Sequence, residues 1–279
     1  MIILLDNGSK RPAATKALRR LAADLSRCIG EEVHPVSLLH SSKVLPSQID
    51  GRAAQTLEPF LRQQAEQGRR AFVILPLFFG PSRAIEVFVP EIIAAVEADY
   101  GQMQVQVAPI LCPMPTGEPR LVDILEANAL DVIARYALSP SRLILVDHGS
   151  PIPEVSAVRR WLATELTQRF KGILPVSEAV MERRQGQQYD FNGELLEDML
   201  AALPLDRMNA GAKTRKCDIV LAMQFLLPGR HAGPEGDVDG IAEAAMKEQP
   251  WLNIITSPLV SEHPLLCDIL CDRLRSSVN

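Results

Sequence analysis

Positive charge is not in surplus in this sequence: 29 Lys and Arg stand against 34 Asp and Glu over 279 residues, a formal net charge of −5. No broad basic field is available to hold nucleic acid or anionic lipid. Nor does any window approach the roughly 18 to 20 consecutive apolar residues of a membrane helix. The opening run Met1-Ile-Ile-Leu-Leu-Asp6 is shorter than the apolar stretch of a signal peptide and follows no basic residue, so no export signal is expected. The five cysteines, Cys28, Cys112, Cys217, Cys267 and Cys271, contain no Cys-x-x-Cys pair. They read as reduced packing thiols, since an iron–sulfur or zinc site needs more ligands close by. Also missing are a Gly-x-x-x-x-Gly-Lys-Ser/Thr phosphate loop, a Gly-x-Gly-x-x-Gly after the first strand, a His-Glu-x-x-His pair and a Gly-x-Ser-x-Gly elbow. Nucleotide hydrolysis, dinucleotide binding and serine-hydrolase chemistry are disfavoured. A cytoplasmic protein with a small-molecule partner is expected.

What is present is apolar material for sizeable cores, 47% hydrophobic against 23% charged residues, and a length that suits two ordinary domains. The sequence also repeats itself. Ile2-Ile-Leu-Leu-Asp-Asn-Gly-Ser9 returns 141 residues later as Leu143-Ile-Leu-Val-Asp-His-Gly-Ser150. Val73–Ala84 lines up with Val220–His231, again strand, turn and arginine, and Val122-Asp-Ile-Leu125 is echoed by Cys267-Asp-Ile-Leu270. Segments in the same order with slightly drifting offsets imply one domain written twice, over residues 1–140 and 141–279.

Within each copy, strand and helix alternate. Ala14, Leu18, Leu21 and Leu25 recur at helical spacing after Ser9, as do Val155, Val158, Leu162 and Leu166 after Ser150. Pro12 and Pro153 suit a first helical turn, with Ser9 and Ser150 as caps. Further strands are expected at 36–39, 72–75, 105–110, 173–180, 219–222 and 253–256, with a helix over 91–98. Such apolar runs read as buried parallel strands. The expected class is α/β: two duplicated domains, each a small parallel sheet flanked by helices, with a cleft between them.

Ligands of open parallel sheets sit beyond the carboxyl ends of the strands, and there the second copy places His148 and His231. Imidazole binds borderline divalent metals and takes up a proton near neutral pH. The intervening strand offers Glu178 and Glu182; Glu182 lies at the strand's exit and is the better candidate, although a solvated loop charge is an equal reading. Asn7 and Ala84 occupy the matching positions of the first copy, with Ser42 or His40 opposite Glu182. That copy is expected to lack the chemistry, because alanine has no ligand atom and an amide is no base. His34, His40 and His263 read as structural or surface residues. Glu235 and Asp237 add acids beside His231.

Leu145-Val-Asp-His-Gly-Ser150, Val180-Met-Glu182, Leu227-Pro-Gly-Arg-His231 and Ser261-Glu-His-Pro-Leu265, in this order, resemble the class II tetrapyrrole chelatases, the sirohydrochlorin cobaltochelatase and ferrochelatase group or CbiX-like proteins, in their long form of two fused copies. The resemblance implies a chelatase-like fold related to flavodoxin and Rossmann folds. It implies insertion of a divalent metal, cobalt, ferrous iron or nickel, into a carboxylate-rich tetrapyrrole without a nucleotide, in cobalamin or sirohaem synthesis. His148, Glu182 and His231 become the metal ligands and proton acceptors, and Gly149, Ser150 and Arg230, with Arg83, become contacts for the substrate's acid groups. No oligomer is required where two copies are fused. The competing reading is a non-catalytic protein that stores or delivers a tetrapyrrole or a metal.

Overall fold

Short apolar runs separated by amphipathic stretches favour parallel strands covered on both faces. The computed structural model, which describes residues 1–203 and 216–278, contains two such sheets. The first comprises β1 (Ile2–Asp6), β2 (Val33–Ser37), β3 (Ala71–Pro76) and β4 (Gln104–Val107), in the order β2-β1-β3-β4. Its helices are α1 (Pro12–Ile29), α2 (Leu57–Glu66) and α3 (Val89–Tyr100), the last entered through a π-helical turn, Ala84–Phe88. Next come α4 (Pro119–Arg135), then β5 (Pro140–Asp147), α5 (Pro153–Arg169), β6 (Val176–Val180), α6 (Leu196–Ala201), β7 (Cys217–Met223), α7 (Asp237–Glu248), β8 (Leu252–Thr256) and α8 (Leu265–Val278). The second sheet repeats the first, β6-β5-β7-β8, all parallel. The central strands read Ile3, Leu4, Leu5 and Leu143 to Val146, all fully buried, as a strand covered on both faces requires. The duplicated α/β architecture is therefore as expected.

The compact units do not coincide with the two sequence copies. One compact unit comprises Met1–Glu118, Leu226–Arg230 and Pro264–Asn279, and the other Pro119–Phe225 and His231–His263. The physical reason is the packing of two helices. α4 lies against β7 and α5, and α8 lies against α1 and β3, so each half's last helix is counted with the other half's sheet.

Other differences are local. Ser9 and Ser150 do not cap the helices: the N-caps are Arg11 and Ile152, with the prolines at the start of each helix. The two serine hydroxyls instead accept the amides of Arg11 and Ile152, 3.1 and 3.0 Å away. The strand expected from 173 begins at Val176, and Ile173 is exposed. The expected face of α5 also shifts, with Val155 only half-buried while Ser156 and Arg159 join Val158, Leu162 and Leu166 in the interior. Among the described residues no helix is long and apolar enough to cross a membrane.

Candidate functional site

At the end of β5 the chain must turn sharply past the exit of β6, and glycine permits it. Gly149 has φ +89°, and a Cβ there would lie 2.0 Å from the carbonyl oxygen of Glu182, far inside van der Waals contact. The Glu182 amide donates to the His148 carbonyl at 3.1 Å. This bond carries the pairing of β5 and β6 two residues past the strands and puts the His148 and Glu182 side chains together. His148 Nε2 stands 3.3 Å from Glu182 Oε1, and both side chains are about half exposed.

The other imidazole nitrogen fixes the tautomer. His148 Nδ1 lies 2.9 Å from the Gly149 carbonyl oxygen; that oxygen can only accept, so Nδ1 carries the hydrogen. Nε2 of the neutral ring then turns a lone pair toward a carboxylate oxygen, an arrangement that calls for a cation at Nε2, whether a proton or a metal. His231 is set the same way. Its Nδ1 lies 2.7 Å from Asp237 Oδ2, at the start of α7, so Nε2 keeps its lone pair. A carboxylate behind an imidazole fixes the ring's tautomer and orientation. The His148 and His231 rings meet edge to face with centroids 4.4 Å apart. His148, Glu182, His231 and Asp237 all belong to the second compact unit. Among the described residues no group of three His, Cys, Asp or Glu side chains is arranged to hold a metal ion. The pairs are formed; a closed three-ligand cage is not.

Beneath this turn lies a buried ion network. Arg159, on the buried side of α5 and 1% exposed, donates to Asp147 Oδ1 at 2.6 Å and to Glu178 Oε2 at 3.0 Å, and it reaches the Asn192 carbonyl. Asp147 Oδ1 also accepts the Gly149 amide at 3.0 Å. Asn192 Oδ1 takes the Ser150 amide at 2.9 Å and the Ser156 hydroxyl at 3.0 Å. Burial pushes the Asp147 carboxyl up, against the opposing pull of Arg159. The two acids are placed differently: Glu178 lies against Arg159 in the network, and Glu182 lies against His148. Of Gly149 and Ser150, expected as substrate contacts, the amides donate to Asp147 and to Asn192, and the Ser150 hydroxyl accepts the Ile152 amide.

Arg230 is exposed and falls in the first unit, as does Arg83, whose guanidinium lies 5.7 Å from the Phe88 ring. His34 is half-buried against Phe60, and burial lowers its pKa. His40 is exposed at the start of a short 3₁₀ turn, and His263 ends another. The position opposite Glu182 in the first unit is neither Ser42 nor His40. Leu39 donates to the Asn7 carbonyl at 3.2 Å, as Glu182 does to that of His148, so Leu39 is the counterpart. The cysteines are less scattered than their spacing suggests: Cys28 and Cys267, in α1 and α8, have sulfurs 3.5 Å apart.

Arg159 and Asn192 were not visible as part of the site from the sequence. The one signal is periodic: Arg159 stands 141 residues after Leu18, in a slot that helical spacing assigns to the core.

Comparison with known proteins agrees with the resemblance drawn from the motifs. The CbiX family model matches residues 1–129. No curated protein sequence matches the chain. Among solved structures, SirB from Bacillus subtilis with Fe3+ superposes with a TM-score of 0.64 at 14% identity, covering 99% of this chain and 94% of that one. The sirohydrochlorin chelatase SirB from Bacillus subtilis subspecies spizizenii in complex with cobalt gives 0.62 at 16%, covering 99% and 94%. CbiX, described as the terminal enzyme for biosynthesis of siroheme in denitrifying bacteria, gives 0.62 at 16%, covering 100% and 99%. These structures show that the chain has the chelatase fold.

Proposed function

We propose that the chain inserts a divalent metal, cobalt or ferrous iron and by the same ligand chemistry nickel, into sirohydrochlorin or a closely related tetrapyrrole, without a nucleotide. A single site in the second unit, His148, Glu182 and His231, carries the reaction. The supporting observation is the pair of imidazoles in edge-to-face contact whose Nδ1 atoms are both committed, to the Gly149 carbonyl and to Asp237, leaving both Nε2 atoms available, that of His148 beside the Glu182 carboxylate.

Metal insertion needs groups that take an ion from water, release it again, and accept two pyrrolic protons. Three partly exposed ligand groups, one fewer than the complete tetrahedral set that holds an ion permanently, meet the first two demands. The Nε2 atoms meet the third once the metal has left them. Glu182 supplies the negative charge that draws the cation in and later offsets an imidazolium. Asp237 acts through His231, holding the ring so that Nε2 faces outward.

The test is anaerobic mixing of the purified protein with sirohydrochlorin and Co2+, following the absorption change of insertion against the spontaneous rate. His148→Ala and His231→Ala are each expected to lower the enzymatic rate by about 10²-fold or more, the usual weight of one positioned acid or base. Full rates in both variants would falsify the assignment. The storage or delivery reading is favoured by one feature, the absence of ligands at Asn7, Leu39 and Ala84 in the first unit. It predicts tight binding of one equivalent of tetrapyrrole and no turnover beyond it.

A further inference from the structure

In the first unit the space that corresponds to the Arg159 network is open. A cavity of about 650 Å3 lies against α1 and β2, and Thr15, Leu18, Pro35 and Ala53 are among its walls. These four residues stand where the second unit has Ser156, Arg159, Glu178 and Asn192. Thr15 and Leu18 correspond by the 141-residue offset of the duplicated turn and helix. Pro35 pairs with Leu4 as Glu178 pairs with Leu145. Ala53 is placed by its neighbour: Ser37 donates to the Gln55 carbonyl as Val180 donates to that of Glu194, and Ala53 and Asn192 each precede those acceptors by two residues.

Leu18, Pro35 and Ala53 thus stand in place of Arg159, Glu178 and Asn192, while the hydroxyl of Thr15 and the buried aspartate Asp6 are kept, and the fold has not collapsed onto the space. One consequence is an orphan: the buried Thr15 hydroxyl has no hydrogen-bond partner, where its counterpart Ser156 bonds Asn192. The mouth is cationic, lined by Arg19, Arg27 and Arg52 against the single carboxylate of Glu32. Arg19 donates to the carbonyls of Ile49, Arg52 and Ala53 at 2.7, 2.8 and 3.0 Å and so holds the loop that forms the outer wall. Burial and the nearby Arg52 both lower the Arg19 pKa, with Asp50 opposing.

We propose that this cavity binds a small organic carboxylate with an apolar body. The body fills the volume beside Leu18 and Pro35 left by the lost network, and a polar group on it meets the Thr15 hydroxyl. The carboxylate pairs with the Arg52 guanidinium, whose planar fork suits that group. The volume falls within the roughly 300 to 1,000 Å3 of small-molecule sites. All the residues involved lie in the first unit, so the site is independent of the metal chemistry proposed for the second.

The experiment is calorimetric titration of the full chain with 2-naphthoate, using 2-naphthylmethanol as an uncharged probe of the same shape. Naphthoate is expected to bind at least about tenfold more tightly than the alcohol, a difference of about 1.4 kcal/mol. Arg52→Ala removes that preference. Ala53→Trp fills the space and abolishes binding of both probes, and Ala23→Trp, on the exposed side of the wall, is a second block should the first fail to fold. None of these variants changes the metal-insertion rate. Equal binding of the two probes, no heat from either, or binding unaltered by Arg52→Ala and by both blocking variants overturns the proposal.

Discussion

The two units are built to one plan and differ most beneath the turn that follows their first strand. Both turns need glycine for the same reason: a Cβ on Gly8 would lie 1.8 Å from the Leu39 carbonyl oxygen, and one on Gly149 2.0 Å from that of Glu182. Both strands end in a buried aspartate. Beneath Asp147, Arg159 supplies a buried countercharge at 2.6 Å; beneath Asp6 the corresponding residue is Leu18, and Asp6 Oδ1 has no hydrogen-bond partner. The turn therefore survives without the arginine. What the arginine adds is a fixed charge and a rigid support under the turn that carries His148, and the unit without imidazole at that turn is also the unit without the network.

The largest effect expected from this comparison follows from making the second unit like the first. Arg159→Leu leaves Asp147 and Glu178 uncompensated around a buried site and is expected to cost about 3 to 5 kcal/mol, as the loss of one partner from a buried pair does. Denaturant unfolding reads it. Adding Asp147→Asn should recover part of the loss. If the double variant is no more stable than the single one, the charge pairing is not what holds the turn.

Somewhat smaller is the pH effect at Asp6. Burial raises its pKa to about 6, only partly offset by the Ser37 hydroxyl and the Gly8 amide, against about 3.9 in an unfolded chain. The folded state holds the proton more tightly, so this contribution to stability is complete below about pH 4 and disappears as pH rises through about 6. At about 1.36 kcal/mol per pKa unit it amounts to about 3 kcal/mol. Comparing Asp6→Asn with the unaltered protein at pH 4 and pH 8 isolates it. The variant should gain relative stability at the higher pH, and a constant difference across that range would mean that Asp6 titrates normally.

Asp237 sharpens the comparison on the functional side, since Ala84 gives the first unit nothing for such a carboxylate to hold. Asp237→Asn preserves the shape but weakens the hold on His231 Nδ1, and a drop in metal-insertion rate of about 10- to 100-fold is expected, the usual cost of losing such a support. His148→Gln offers a control: in that background the further loss from Asp237→Asn should shrink if the two histidines act together.

Much of this was legible in the sequence because it is written in periodicity. The repeated strand-turn-helix units, the central apolar strands and the positions of His148, Glu182 and His231 at neighbouring strand ends all follow from spacing and alternation. Arg159 was not legible, because an arginine among polar neighbours reads as a surface residue; only the heptad-like slot shared with Leu18 betrays it. Leu39 was missed as the counterpart of Glu182 because counting across a loop slips by a residue or more, whereas backbone pairing does not. The exchange of α4 and α8 between units leaves no local mark, since an amphipathic face says that a helix is covered and not by which sheet. The match of the CbiX family model to residues 1–129, the half without the ligands, makes the same point. That half retains the buried strands and the glycine turn, features that serve the fold and are independent of any metal.

The smallest expected effect compares one hydroxyl in each unit. Ser156 donates to Asn192 Oδ1 at 3.0 Å in the interior, so Ser156→Ala removes a satisfied buried bond and should cost about 1 kcal/mol. Thr15 holds the same place on α1, but its hydroxyl is buried without a partner. Thr15→Val keeps the shape and removes a group whose burial is itself unfavourable, so stability should be unchanged or higher by about 1 kcal/mol. Valine and threonine are both β-branched and nearly equal in helix propensity, so the backbone does not oppose the gain. Opposite signs for the two substitutions, measured in ligand-free protein by denaturant unfolding, are what the deleted network requires. A loss at Thr15 equal to that at Ser156 would mean that the first unit satisfies this hydroxyl in solution, and that its cavity is smaller than the structure indicates.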